Sequence, residues 1–135
     1  MIKFFTLILM IIPFAVTAED DFLSRFVVGN YLLIGQGIDT KTTYSGNVSI
    51  YLENNQLQVK RTINGKVTIG QANFKFTLNG DSKVLRIKFF ENSINYEETC
   101  LWSSDLDNYA RVTCYLYLPD TKIAKPGLEA LFIDH

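Results

Sequence analysis

The chain predicts an all-β fold: an antiparallel up-and-down meander of seven or eight strands closing into a small barrel, with a short helical turn before it and a short helix after it. Three observations carry this expectation. Gly, Asn and Asp interrupt the chain at intervals of about ten residues, apolar and polar residues alternate between the interruptions, and the links are too short for crossover helices. A meander presents two bare edges unless it closes, and closure removes them.

Residues 1–18 read as a bacterial secretory signal peptide cleaved after Ala18. Lys3 precedes an apolar run over 4–14, and Val16-Thr17-Ala18 supplies small residues ahead of Glu19-Asp20-Asp21. The run is too short to persist as a spanning helix, so an exported product in the periplasm or outside the cell is expected, without stable membrane insertion. Neither cysteine lies just after that run, where a lipid-attachment site would need one. Removing the first 18 of 135 residues leaves 117, enough for one domain over 19–135 with a modest core. Loss of Lys3 takes the formal charge from −1 to −2, and a surface with no basic excess argues against nucleic acid as a partner.

Asp20 and Asp21 are placed to cap a helical turn carrying Phe22 and Phe26. Strands follow over 27–35, 42–52, 56–63, 66–78, 83–90, 93–103 and 109–118. Asn64-Gly65 is a two-residue hairpin signal, since both positions must take positive φ and these residues tolerate it. Asn79-Gly80-Asp81-Ser82 reads as another turn. In the fourth strand Val67 and Ile69 share one parity and Ala72, Phe74, Phe76 and Leu78 the other, so a bulge near Gly70-Gln71 is expected to restore a common face. Pro126 at a first helical position, with Leu128, Leu131 and Phe132 at helical spacing after it, predicts the C-terminal helix.

Gly29-Asn30-Tyr31 at the start of the first strand, the meander and the terminal helix together resemble the calycins, the lipocalin and avidin group of exported β-barrels; lipocalins place a tryptophan where this chain has Tyr31. Residues Tyr44-Ser45-Gly46-Asn47-Val48-Ser49-Ile50 also resemble a second-strand pattern of small exported bacterial β-proteins of unknown role. The resemblance implies a barrel that holds a small ligand.

Cys100 and Cys114 are the two cysteines, and in an oxidising compartment a disulfide across the last hairpin is their expected state. The sole histidine is the terminal His135, so no internal imidazole can activate a nucleophile, and histidine–cysteine zinc sites lack ligands. No enzyme activity, cofactor or metal is expected. A carboxylate-based enzyme is a distant third reading, and Asp105, Asp107 and Asn108 read as a solvated turn rather than a calcium loop.

Parity singles out the inward polar residues. Leu57, Val59, Arg61 and Ile63 share one face, as do Ile94, Tyr96, Glu98 and Trp102, so Arg61 and Glu98 are expected to meet in the interior with Tyr96 and Trp102 beside them as candidate ligand contacts. The opposite parity of the last hairpin carries Tyr109, Arg111, Tyr115 and Tyr117, a candidate protein-binding stripe. The sequence therefore supports an exported barrel binding an apolar or amphipathic small molecule, with a protein-binding module, such as an inhibitor of a secreted enzyme or a host-directed factor, as the second reading. Cleavage after Ala18 predicts that N-terminal sequencing of the exported product starts at Glu19; a start upstream of Ala15, or an uncleaved membrane-held chain, contradicts it.

Overall fold

A computed structural model describes residues 18–103 and 110–135. Helix α1 (Ala18–Val27) leads into eight antiparallel strands in sequence order: β1 (Gly29–Gln36), β2 (Thr43–Glu53), β3 (Gln56–Ile63), β4 (Lys66–Thr77), β5 (Ser82–Glu91), β6 (Ile94–Trp102), β7 (Val112–Tyr117) and β8 (Gly127–Ile133). Each strand pairs with its neighbours, and β8 pairs with β1, so the barrel is closed. Residues 1–17 of the proposed signal segment and residues 104–109, with Tyr109, Asp105, Asp107 and Asn108, lie outside the described residues.

Asparagine makes the hairpins tight. Asn54-Asn55, Asn64-Gly65 and Asn92-Ser93 all take positive φ and join β2 to β3, β3 to β4 and β5 to β6 by two-residue turns. Such turns match the twist of the strands they connect, and asparagine tolerates the left-handed conformation better than most residues. The turn expected at Asn79-Gly80 is a short 3-10 segment, again with both residues at positive φ.

Two expectations are corrected. The C-terminal helix is strand β8: Gly127, Glu129 and Leu131 face inward while Leu128 faces out. The spacing of Leu128, Leu131 and Phe132 fits a helix only while Glu129 is counted as a surface residue. Once its carboxylate is accepted inside, the segment alternates, and as a strand it fills two ladders that would otherwise be bare edges. The bulge in β4 does not form either. Pairing runs without interruption from Lys66 to Ala72 against β3 and from Gly70 to Thr77 against β5. Thr68, Gly70, Ala72 and Phe74 hold one inward parity, and the apparent phase change arises because Val67 and Ile69 sit on the exterior.

The two barrel ends differ. At one end α1 packs as a plug: Val27 is fully buried, Phe26 lies against the core, and the buried Tyr31 hydroxyl donates to the Val27 carbonyl at 2.7 Å. That bond satisfies a carbonyl left over at the helix C-terminus. Phe22, one turn earlier, is exposed. At the other end the 37–42, 64–65, 92–93 and 118–126 connections surround an opening.

Cys100 and Cys114 stand directly opposite on β6 and β7, Cα–Cα 4.1 Å, and are joined by a disulfide. The short spacing suits a non-hydrogen-bonded pair. A disulfide-bonded pair is consistent with an oxidising, exported location. No helix among the described residues is long and apolar enough to cross a membrane.

The bridge closes a loop of sequence separation 14, which in the chain-entropy model contributes about 3 kcal/mol. Reduction, or Cys100→Ala with Cys114→Ala, should lower the melting temperature by roughly 10 °C while the far-ultraviolet spectrum keeps its strand signature. Intact mass with and without reductant checks the bond; two titratable thiols in exported protein would refute it.

Candidate functional site

Strand alternation turns three ionisable side chains into the barrel: Arg61 from β3, Glu98 from β6 and Glu129 from β8. Arg61 stands between Val48 and Thr68 on its neighbouring strands, Glu98 between Ile87 and Leu116, and Glu129 between Gly35 and Cys114. The strands are not neighbours, so the side chains meet across the interior. Arg61 Nη1 donates to Glu98 Oε1 at 2.7 Å and to Glu129 Oε1 at 2.6 Å, and Nη2 donates to Glu129 Oε2 at 2.8 Å. The Arg61–Glu129 pair is thus a two-bond fork, the geometry that only a guanidinium offers a carboxylate.

Tyr44 completes the cluster, and Gly35 makes that possible. Gly35 pairs with Tyr44 on one side and Glu129 on the other. The Tyr44 ring lies over Gly35 and its hydroxyl donates to Glu129 Oε2. A Cβ at Gly35 would come within 2.5 Å of that ring. The Phe89 ring packs on the guanidinium, 4.2 Å from Arg61 Cζ to the ring centroid, and Tyr96 stacks on Phe89 with centroids 5.1 Å apart and planes at 13°. Guanidinium, phenyl and phenol form one continuous stack, a favourable placement for a cation withdrawn from water.

Two carboxylates facing one guanidinium leave one negative charge too many for a buried site. A proton on Glu98 removes it. Burial, and then the neighbouring Glu129 charge, push the Glu98 carboxyl well above the usual carboxylate range. Burial works in the same direction on Glu129, but the hydrogen bonds and charge of Arg61 outweigh it and hold that carboxyl below its ordinary value. Burial and the Glu129 charge raise Tyr44, which keeps its proton. With that proton in place the cluster is Arg61 cation, Glu129 anion and neutral Glu98, with no net charge.

Above this floor a cavity of about 720 Å³ opens at the unplugged end. Ile38, Ile63, Phe89, Tyr96, Leu116 and Leu118 form its walls, Arg61 and Tyr44 reach it from the floor, and Asn64, Lys66, Glu91 and Asn92 stand at the rim. Lys66 bonds to Asn92 and lies 3.5 Å from Glu91, which draws two adjacent hairpin ends together at the mouth.

The interior residues singled out from sequence divide. Arg61 and Glu98 meet as expected, and Tyr96 lines the cavity. Trp102 does not: it packs edge-on against Phe74, centroids 5.3 Å apart, at the plugged end of β6. The exterior stripe divides too. Tyr115 is exposed and Tyr117 shares a hydrogen bond with Thr99 across β6 and β7, 2.7 Å. Arg111 sits before β7 begins, and its guanidinium lies 5.0 Å from the Phe26 ring, where it helps seat α1. Sequence reasoning missed Glu129 and Tyr44. The available signal for Glu129 was a lone carboxylate between Leu128 and Ala130 with alternating apolar neighbours, readable only when the segment is taken as a strand.

Glu98, Cys100 and Cys114 also approach one another, with Cys100 Sγ 3.8 Å from Glu98 Oε2. Both sulfurs are committed to the disulfide, so the group is not a set of thiolate ligands. Comparison with protein-family models, curated proteins and solved structures finds no match for this chain.

Glu129→Ala, which strips Arg61 of its forked partner, should destabilise by about 3–5 kcal/mol in urea unfolding, more than replacing Arg61, Glu98 and Glu129 together by leucine. The two carboxyls also give stability opposite pH slopes. Glu98 contributes most when protonated, so its stabilisation is complete below its unfolded pKa and falls as pH rises through its raised folded value. Glu129 contributes when ionised and loses its stabilisation as pH falls through its depressed value. Stability should peak between those limits, and Glu98→Gln should flatten the decline on the alkaline side. An unchanged alkaline slope in that variant would count against a proton on Glu98.

Proposed function

We propose that this protein is an exported, non-enzymatic carrier that holds a small apolar or amphipathic molecule in the open end of its barrel, in the periplasm or outside the cell. The observation that carries the reading is the cavity of about 720 Å³ with apolar and aromatic walls and a hydrogen-bonding floor. Ligand sites are concave, mostly apolar and furnished with a few oriented polar groups. Helix α1 packs on the core at the far end, and the calycin resemblance of the Gly29-Asn30-Tyr31 segment supports the same reading by analogy of fold.

A second reading, a protein-binding module, is favoured by one observation on the exterior. Ile34, Leu128, Ala130, Thr113, Tyr115 and Leu101 line an outer groove of about 750 Å³ across β1, β8, β7 and β6, and Glu129, the charged residue that also lines it, turns its side chain into the barrel. Uncharged exposed patches of that kind are associated with protein contacts.

Native mass spectrometry of protein purified from its own source should find a retained small molecule, and Leu116→Trp, which fills the cavity, should lose it while the barrel still unfolds cooperatively. Retention in that variant, or an apo mass throughout together with no uptake of apolar dyes, would remove the carrier reading. Tyr115→Ala with Tyr117→Ala should leave ligand retention unchanged. If that pair abolished biological activity in a folded protein, the exterior groove would be the functional surface instead.

A further inference from the structure

The cavity floor is more selective than a carrier of apolar molecules requires. Only Arg61 and Tyr44 of the ion cluster face the opening, while Glu98 and Glu129 lie behind them with side chains 1% and 0% exposed. The Arg61 charge is already matched by the Glu129 fork and shared with Glu98. An anionic head group would therefore find no excess positive charge and would add a third carboxylate beside two others. An ammonium would meet the like charge of the guanidinium.

The hydrogen bonds specify what fits better. The Tyr44 hydrogen is committed to Glu129, so its hydroxyl presents lone pairs to the cavity. The three bonds from Arg61 to the carboxylates leave part of the guanidinium's donor capacity unused. The floor thus offers a donor and an acceptor side by side.

Building on the carrier reading, we infer that this cavity selects amphiphiles whose uncharged head group both donates and accepts a hydrogen bond, a hydroxyl or a primary amide, over carboxylates and over acceptor-only esters. Tyr44 and Arg61 are the specificity-determining residues. A hydroxyl answers both groups at once, an ester leaves the Tyr44 oxygen without a donor, and a carboxylate adds charge to that mismatch. Discrimination of this sort is larger than a pocket achieves by shape, because the mismatched head group leaves buried polar groups unpaired.

The test is displacement of the neutral dye N-phenylnaphthylamine from the oxidised protein at neutral pH by decanol, methyl decanoate and decanoate. Decanol should bind at least about tenfold more tightly than either of the others. The methyl ester carries as many saturated carbons as decanol and would match it if affinity followed apolar area alone. Tyr44→Phe should bring decanol and the ester to within about twofold of each other, with the melting curve confirming a folded barrel. Methyl decanoate or decanoate equalling decanol on the unaltered protein would overturn the head-group inference and leave the carrier reading standing. Failure of the dye and of all three compounds to bind would overturn both. Should Tyr44→Phe not fold, the order of the three compounds on the unaltered protein decides alone.

Discussion

The forked ion pair between Arg61 and Glu129 is the interaction on which the rest of the molecule depends. It joins β3 to β8 through the interior, and Glu98 extends it to β6, so strands that share no backbone ladder are tied by their side chains. Such a cluster is not a large net source of stability, because desolvating the charges costs several kcal/mol per ion against the attraction gained. Its effect is on which arrangement is allowed. A one-residue slip of β8 against β1 or β7 would turn Glu129 to the exterior and leave Arg61 buried without its fork, so wrong registers carry a penalty that aliphatic packing alone would not impose.

Room for the cluster comes from small residues on the facing strands. Gly35 lets the Tyr44 ring cross β1, and Thr68, Gly70, Ala72 and Gly127 turn little volume into the interior near the guanidinium and its partners. The larger aliphatic side chains, among them Leu33, Ile50, Leu85 and Leu131, fill the half nearer α1 with Tyr31 and Val27. The barrel is consequently a packed core at one end and a walled cavity at the other, with the ion cluster as the partition. The same residues that specify strand register also present the cavity with its polar floor.

Much of this was legible along the chain. Turn asparagines and strict alternation announced the strands, and parity alone put Arg61 and Glu98 on inward faces and set Cys100 opposite Cys114. Parity failed where an exterior apolar residue mimicked an interior one: Val67 and Ile69 are apolar yet outward, which suggested a bulge that does not exist. It failed again where an interior residue was charged, since Glu129 disguised β8 as the polar side of a helix.

The sequence by itself determined the hairpins, the strand count to within one, the disulfide and the presence of opposite charges inside, because each is written in local spacing and period. Tertiary structure alone decided that the last segment is the closing strand, that Glu129 rather than Glu98 holds the Arg61 fork, and that Trp102 belongs to the plugged end while Tyr96 belongs to the open one. These outcomes depend on which strand returns to meet β1 and on where the ends of distant strands fall around the barrel. Closure is a property of the whole sheet, and no window of sequence contains it.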